Sequence, residues 1–260
     1  MRVAAYQVPL AATRSGDVLR LIAAQVARCE AAGVEILCCP EAVIGGLADY
    51  VEPAYRLVLP TDAALLADAL APLASATVTT VVGYTERDAA GRLFNAAAVL
   101  RAGAVVGRYR KLHPAIRRSV YTAGDEMPVF TSGALTFGVL LCRDSAFAEP
   151  ARGMVARGAA ALFVPTNNGL PADRPHARIA ADARRLDAGR ATAHGVSVIR
   201  ADVAGAAGGL VSHGSTGIIG PDVRVLAECP PLEACLVTAD IPRVRRQEDA
   251  VERRLTNRCG

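Results

Sequence analysis

The stretch ALTFGVLLCRDSAFAEPARGMVARGAAALFVP, residues 134–165, shows the succession of strand, helix and strand from which the fold is predicted. Its first part, 134–142, is an apolar run that predicts a buried strand ending at Cys142. A helix is expected from about Phe147 to Arg157, followed by a second buried strand at 160–165. A strand, a helix and another strand in succession are typical of a layered α/β protein whose apolar strands are covered by helices.

The same alternation is present on both sides of this stretch. Upstream it predicts strands at 2–8, 34–40 and 78–84, helices from about 17 to 32 and from 62 to 73, and a hairpin of 95–100 with 103–110. Downstream it predicts a helix at about 173–193, a strand at 196–203 and a hairpin-rich β region at 215–241. No clear element is predicted for 112–133, and long loops in compact domains are often functional. Because no linker or repeat divides the chain, we expect one domain over 1–260.

Composition excludes several classes of function. The net charge is only +4 and the arginines are dispersed, which argues against a nucleic-acid-binding groove. No apolar run reaches the ~18 residues that span a bilayer, and the N-terminus lacks the pattern of a secretory signal, so we expect a cytoplasmic protein that does not bind membranes. Seven cysteines without a CxxC pair, and four histidines without HxxxH, predict neither a disulfide framework nor a metal site.

Lys111 is the only lysine among the 29 Lys and Arg residues. An ammonium group is a compact point charge, whereas guanidinium is planar and prefers a bidentate partner. A lysine retained in an arginine-rich chain therefore suggests a position that requires a point charge. The alternative is that the single lysine is an accident of base composition.

Three reactive side chains lie at the ends of predicted strands. Glu41 follows the strand at 34–40, Lys111 ends the second strand of the hairpin, and Cys142 ends the strand at 134–142. Ligands gather beyond the carboxyl ends of strands in open α/β sheets, so these side chains are expected to converge.

Together the three side chains form a complete set for nucleophilic catalysis. Cys142 is the expected nucleophile, at a strand-to-helix junction where positive potential favours a thiolate, and Glu41 is the expected base. Lys111 and the backbone N–H of Arg143 are expected to form the anion hole. Each such donor typically stabilises the transition state by roughly 3 to 4 kcal/mol.

At these residues the sequence resembles the nitrilase superfamily of carbon–nitrogen hydrolases, whose hallmark is a Glu-Lys-Cys triad. The matching stretches are LCCPEAVIGG around Glu41, GRYRKLHP around Lys111 and GVLLCRDSAFAEPAR around Cys142, in the family's order. The resemblance implies a four-layer α-β-β-α sandwich, assembly into a homodimer or higher homo-oligomer, and cofactor-free hydrolysis through an acyl-thioester. It also implies that Asp144, Glu149 and Arg152 hold the cysteine loop to its helix.

Two departures from the family pattern bear on the substrate. Arg117 occupies the position at which many amidases of the family carry a second glutamate, so it either binds an anionic substrate group or points outward. The sequence Cys-Arg-Asp at 142–144, in place of the Cys-Trp-Glu or Cys-Gly-Glu of true nitrilases, favours an amide over a nitrile.

Four further residues are candidates for the walls of the pocket. Asn167 either hydrogen-bonds the substrate or belongs to a tight turn, and the turn is preferred for Asn168, because asparagine tolerates positive φ. His113 is expected on the same face as Lys111, as a substrate contact or as a structural histidine. Tyr109 on that face belongs either to the pocket wall or to the core.

The leading hypothesis is an amidase that acts on a small linear amide or N-carbamoyl compound. The alternatives are a nitrilase or acyltransferase of the same family, and a binding protein with a weakened site. A papain-like hydrolase would need His113 or His194 to activate the cysteine, and neither has the local signature of that class.

Overall fold

The computed structural model describes residues 1–53 and 56–243. Up to residue 110 the elements are β1 (Arg2–Pro9), α1 (Val18–Ala31), β2 (Ile36–Cys38), β3 (Leu59–Pro60), α2 (Ala63–Leu70), β4 (Thr79–Arg87), β5 (Leu93–Arg101) and β6 (Ala104–Arg110). Beyond that point they are β7 (Tyr121–Thr122), β8 (Val129–Ser132), β9 (Leu135–Val139), α3 (Ala148–Ala156), β10 (Ala161–Pro165), β11 (Leu170–Pro171), α4 (His176–His194), β12 (Ser197–Ala201), β13 (Val203–Ala207), β14 (Leu210–Ser212), β15 (Gly217–Ile219), β16 (Val225–Glu228) and β17 (Cys235–Asp240).

Within the described residues these strands form two sheets. The larger sheet has 11 strands, and its main path runs β11-β14-β13-β1-β2-β4-β5-β6. The smaller sheet has the order β16-β15-β12-β10-β9-β8. The strand β17 returns to pair antiparallel with β1, so that Asp240 lies opposite Arg2.

The alternation of side chains along β1 shows how the layers are arranged. Ala4 and Tyr6 point into a core shared with Ile22 of α1 and with α2, on the outer face of the larger sheet. Val3 and Ala5 point the other way, into a core between the two sheets. The helices α3 and α4 cover the smaller sheet. The result is the predicted α-β-β-α sandwich.

The predicted helices and most strands agree with the structure to within a few residues, but two predictions were wrong in detail. The strand predicted at 196–203 is two strands, because the chain leaves the smaller sheet after Ala201 and enters the larger one at Val203. The predicted loop at 112–133 contains β7 and β8, and β8 pairs with β9. No helix in the described ranges is long and apolar enough to cross a bilayer. The assignment of one domain over 1–260 stays a prediction, since 244–260 lie outside the described residues.

Candidate active site

Glu41 lies in a tight turn that follows β2 and packs directly on the backbone of β4. A Cβ atom at Gly83 would lie 2.4 Å from the carbonyl oxygen of Pro40 and 2.6 Å from the Cα atom of Glu41. Only glycine permits this approach, so Gly83 fixes how closely the turn sits against the sheet. The backbone N–H of Glu41 also donates to the carbonyl of Thr166 at 3.2 Å, which ties the turn to the end of β10.

The carboxylate of Glu41 is 1% exposed and accepts hydrogen bonds on both oxygens. Lys111 Nζ and Asn95 Nδ2 donate to Oε1 at 2.5 and 2.8 Å. The backbone N–H of Asn167 donates to Oε2 at 3.0 Å. A buried carboxylate is tolerated only when it is paired and hydrogen-bonded in this way.

Lys111 follows the last residue of β6 and continues the pairing of that strand with β5. Its backbone N–H donates to Asn95 at 2.8 Å, and its carbonyl accepts from Gly124 at 2.8 Å. Burial alone lowers the pKa of the ammonium group, but the charge of Glu41 is the largest of the effects that oppose burial, and the pKa lies above its ordinary value. The side chain is therefore a fixed cation inside the protein.

Cys142 begins a 3-10 turn, Cys142–Ala146, and two residues separate it from the end of β9 at Val139. Its φ of 44° lies in the left-handed region that non-glycine residues rarely adopt. The carbonyl of Cys142 accepts a hydrogen bond from Ser145 Oγ at 2.7 Å, which holds the turn closed. The half-buried thiol donates to Asn168 Oδ1 at 3.9 Å. Strained backbone at a reactive residue is a common feature of active sites.

The expectation that the environment of Cys142 favours a thiolate was wrong. Burial and the charge of Glu41 raise the pKa of the thiol to about 12, and the opposing charges of Lys111 and Arg200 only partly offset them. The resting sulfur is therefore protonated. Glu41 lies close enough for its charge to act on the thiol.

Asp144 connects the cysteine turn to the segment around Lys111. Its carboxylate accepts from the hydroxyl of Tyr109 at 2.7 Å and from the backbone N–H of His113 at 2.8 Å. Burial raises the pKa of Asp144, and the charge of Lys111 and these hydrogen bonds oppose the shift. Asp144 was expected to hold the cysteine loop to its helix, whereas these contacts of its carboxylate tie the loop to the segment around the end of β6. Glu149 and Arg152, for which the same role was expected, are exposed on α3.

Arg200 supports the cysteine turn from beneath. It is 1% exposed and forms a two-pronged ion pair with Asp187, at 2.6 and 2.5 Å. It also donates to Ser145 Oγ at 3.1 Å, the same hydroxyl that holds the carbonyl of Cys142. The position of Cys142 thus depends on a buried guanidinium group that was not predicted from the sequence.

Asn167 and Asn168 have different partners. The side chain of Asn167 donates to the carbonyl of Glu41 at 3.1 Å and accepts from Gly169 at 3.0 Å, so both of its polar ends have partners within the protein. Asn168 Nδ2 donates to Asp202 at 2.8 Å and leaves Oδ1 facing Cys142. The positive φ expected of a tight turn is absent at 167–169.

The remaining candidates differ in their surroundings. Arg143 is exposed, with its guanidinium 5.8 Å from the ring of Phe147. His113 stacks on Phe147 with ring centroids 3.7 Å apart, which supports its structural interpretation. Arg117 is exposed in the turn at 117–118. His194 is the last residue of α4, and Tyr109 is in the core between the sheets.

Sequence reasoning missed Asn95, Arg200 and Asp202. Each is a polar residue in or beside an apolar strand, and a charged residue is almost never fully buried unless it is paired. Arg200 and Asp202 within the apolar run 196–203 therefore carried a usable signal. Asn95 at the start of its strand did not, because strand termini are often polar.

These elements define a carbon–nitrogen hydrolase fold with a buried Glu-Lys pair beside a cysteine. The chain belongs to the carbon–nitrogen hydrolase family, whose model matches residues 2–250. It is 34% identical over 179 residues to the protein named "Hydrolase in pqqF 5'region" of Pseudomonas protegens, a match that covers 66% of this chain and 61% of that protein. It is 30% identical over 163 residues to a protein of Pyrococcus abyssi named nitrilase, covering 62% of this chain and 58% of that one. The matches thus span less than two thirds of either relative.

Solved structures agree with this assignment at the level of the fold. An amidase from Nesterenkonia sp. superposes with a TM-score of 0.76 at 24% identity, covering 98% of this chain and 95% of that one. A glutamine-dependent NAD+ synthetase from Acinetobacter baumannii gives a TM-score of 0.76 at 18% identity, covering 93% of this chain and 45% of that one.

Proposed function

We propose that this protein is a cysteine-dependent hydrolase that cleaves a small linear amide or N-carbamoyl compound through an acyl-thioester on Cys142. The observation that carries the proposal is the buried contact of 2.5 Å between Lys111 Nζ and Glu41 Oε1, with both charges acting on the Cys142 thiol. In this proposal the Glu41 carboxylate is the base, the Lys111 ammonium group stabilises the anion, and the Cys142 sulfur is the nucleophile.

In the first step the thiol proton passes to Glu41 as the sulfur attacks the carbonyl carbon. Oε1 of Glu41 already accepts from Lys111 and Asn95, whereas Oε2 accepts only from the backbone of Asn167 among the described residues. Oε2 is therefore the oxygen that takes the proton. The protonated Glu41 then gives this proton to the leaving amine as the C–N bond breaks. Water next attacks the thioester with Glu41 again as base, the C–S bond breaks to release the carboxylic acid, and Glu41 returns the proton to the Cys142 sulfur.

Lys111 and the backbone N–H of Arg143 are proposed to stabilise the negative charge that develops on the carbonyl oxygen. The raised pKa of Lys111 supports this role, because the ammonium group stays charged throughout the reaction. A preformed donor needs no reorganisation when the charge appears, which is why such donors act strongly in a site that excludes water.

For the substrate we favour a short amide or N-carbamoyl compound over a nitrile, on the ground of the Cys-Arg-Asp sequence at 142–144. Nitrile hydrolysis and acyl transfer are the alternatives within the family. The similarity to glutamine-dependent NAD(+) synthetase of Xanthomonas campestris, 33% identical over 202 residues, adds side-chain amides such as that of glutamine to the candidates.

An ammonia-release screen tests the proposal. Purified protein is offered short amides, glutamine, carbamoyl amines and nitriles, and the variants Cys142→Ala and Glu41→Gln are run beside Cys235→Ala, a matched control at a second partly buried free cysteine. We expect release from an amide or carbamoyl compound by the wild type and the control only. Release that persists in Cys142→Ala would refute the proposal.

Two histidine variants, run beside Glu41→Gln, separate the competing classes. A papain-like enzyme would lose activity in His113→Ala or His194→Ala and keep it in Glu41→Gln, whereas the proposed amidase needs Glu41 and tolerates a change in at least one of these histidines. A binding protein would release no ammonia from any compound of the screen although Cys142 reacts with iodoacetamide.

Two further proposals concern the assembly and location of the protein. We propose a homodimer or higher homo-oligomer, which light scattering coupled to size exclusion would test; a monomeric mass would contradict it. We also propose a cytoplasmic location, supported by the six described cysteines, all of which are free thiols. Cell fractionation would test it.

A further inference from the structure

The thiol of Cys142 has one hydrogen-bond acceptor in the described structure, and it is not the proposed base. Its partner is Oδ1 of Asn168, at 3.9 Å, within the range for a sulfur donor. An amide side chain presents either an oxygen or an NH2 group, so the direction in which Asn168 points decides whether the sulfur meets an acceptor or a donor.

That direction is fixed by Asp202. The carboxylate of Asp202 accepts from Nδ2 of Asn168 at 2.8 Å and from its backbone N–H at 3.0 Å. Ser215 Oγ donates to the same carboxylate at 2.6 Å, and the backbone N–H of Val203 donates to it at 2.8 Å. Because a carboxylate offers only acceptors, the NH2 group of Asn168 must face Asp202 and its oxygen must face Cys142.

The place of Asp202 in the fold explains how the carboxylate reaches the site. It is the single residue between β12 of the smaller sheet and β13 of the larger sheet, so it lies where the chain crosses from one to the other. It is fully buried, and its carboxylate accepts hydrogen bonds from two distant segments, at Asn168 and Ser215, and from the backbone of the next residue, Val203. Asp202 thus holds Asn168 by two groups, the side-chain amide and the backbone N–H.

We propose that Asn168, oriented by Asp202, is a positioning residue that holds the Cys142 thiol in a resting state turned away from Glu41. The thiol moves to Glu41 only when a substrate displaces it from Asn168, so the sulfur stays unreactive toward other electrophiles. This inference rests on the proposed function, because it assigns Cys142 as the nucleophile and Glu41 as its base.

The test uses alkylation of Cys142 by iodoacetamide, followed by peptide mass spectrometry across a range of pH, so it needs no turnover. Four charged groups act on this thiol: Glu41 beside β2, Lys111 after β6, and Arg200 and Asp202 at the end of β12. An acceptor that bonds the S–H group stabilises the protonated form, so its removal favours the thiolate. We expect Asn168→Ala to alkylate about twofold to tenfold faster at pH 8, with a profile displaced to lower pH.

Asp202→Asn should have the same sign of effect, because the amide of Asn168 is then free to rotate. Asp202→Asn also removes a charge, so the double variant Asn168→Ala/Asp202→Asn is used to separate the effect of the charge from that of the orientation. If the two changes increase the alkylation rate of Cys142 by less than the product of their separate effects, orientation of Asn168 by Asp202 is supported. If their effects simply combine, it is overturned. Asp68→Asn on the exposed side of α2 is the matched control and should alkylate like the wild type.

A measurement on the unmodified protein covers the case in which these variants do not fold. The difference Raman spectrum between wild type and Cys142-alkylated protein isolates the S–H stretch of Cys142. A band displaced to the frequency of a hydrogen-bonded thiol supports the proposal, and the band of a free thiol overturns it. If the ammonia screen fails but this band is displaced, the proposed function is wrong and the contact to Asn168 stands.

Discussion

Lys111 Nζ lies 2.5 Å from Glu41 Oε1, and the two side chains are 3% and 1% exposed. They reach each other from the ends of β6 and β2, two strands that are not neighbours in the larger sheet. A buried ion pair of this kind is weak evidence for stability, because desolvation offsets much of the attraction. The position of this ion pair beside Cys142 is better explained by the catalytic role that we propose for it.

The variant Lys111→Arg tests the need for a compact charge. A guanidinium group retains the charge but cannot fit its planar fork beside the carboxylate, the sulfur and the developing oxyanion at once. We expect a folded protein whose turnover falls by about 100-fold to 1,000-fold, the loss typical of one anion-hole donor. Circular dichroism checks the fold and ammonia release checks the rate. Arg92→Lys, at an exposed ion pair, is the control, and wild-type turnover in Lys111→Arg would contradict the role.

Arg200→Ala tests whether Arg200 supports the turn that carries Cys142. Removing the guanidinium leaves Asp187 buried without its partner and removes the hydrogen bond that Arg200 donates to Ser145 Oγ. We expect a loss of about 3 to 5 kcal/mol in the free energy of unfolding, measured with urea, together with reduced turnover. The control Arg178→Ala breaks an exposed pair, 82% exposed on the arginine side, and should cost less than about 1 kcal/mol. Equal losses in the two variants would refute the assignment.

Stability should fall in alkaline solution because buried thiols resist ionisation. Burial raises the pKa of Cys29 from 9.0 to about 11. Below pH 9 the thiol is protonated in both states; above it the unfolded chain ionises first, so the stabilisation is lost as pH rises toward the folded pKa. The expected slope is about 1.4 kcal/mol per pH unit for one such group. Urea unfolding of Cys29→Ala should therefore depend less steeply on pH between 9 and 11 than that of the wild type, and parallel curves would contradict the shift.

Arg117→Ala tests the departure from the family pattern. Arg117 is exposed, and surface changes of this kind usually alter stability by no more than about 0.5 kcal/mol. We expect an unchanged KM for an uncharged short amide and a raised KM for an amide that carries a carboxylate. The comparison of the two KM values is the measurement. An unchanged KM for the anionic amide would assign Arg117 to the surface alone.

Much of the fold could be predicted because periodicity and strand ends are local signals. The strands that end near Glu41 and Cys142, and the hairpin that ends at Lys111, were all expected close to where they occur. The division of 196–203 was not, because an apolar run does not record which sheet each part joins. The place of Asp202 between the two sheets can be recognised only from the strand pairing in the structure.

The chemistry of the site was harder to predict than its members. Residue types pointed to Glu41, Lys111 and Cys142, but the protonation state of Cys142 depends on burial and on Glu41, which lies far away in the chain. A strand-to-helix junction alone predicted the opposite sign. The orientation of Asn168 likewise depends on Asp202, 34 residues further on, and no local pattern records it.

The most direct measurement is peptide mass spectrometry of protein mixed with an amide substrate and quenched in acid during turnover. We expect the acyl group of the substrate on Cys142, attached to the sulfur and removable by hydroxylamine. An acyl group on any other residue, or steady ammonia release by protein that lacks this sulfur, would contradict it.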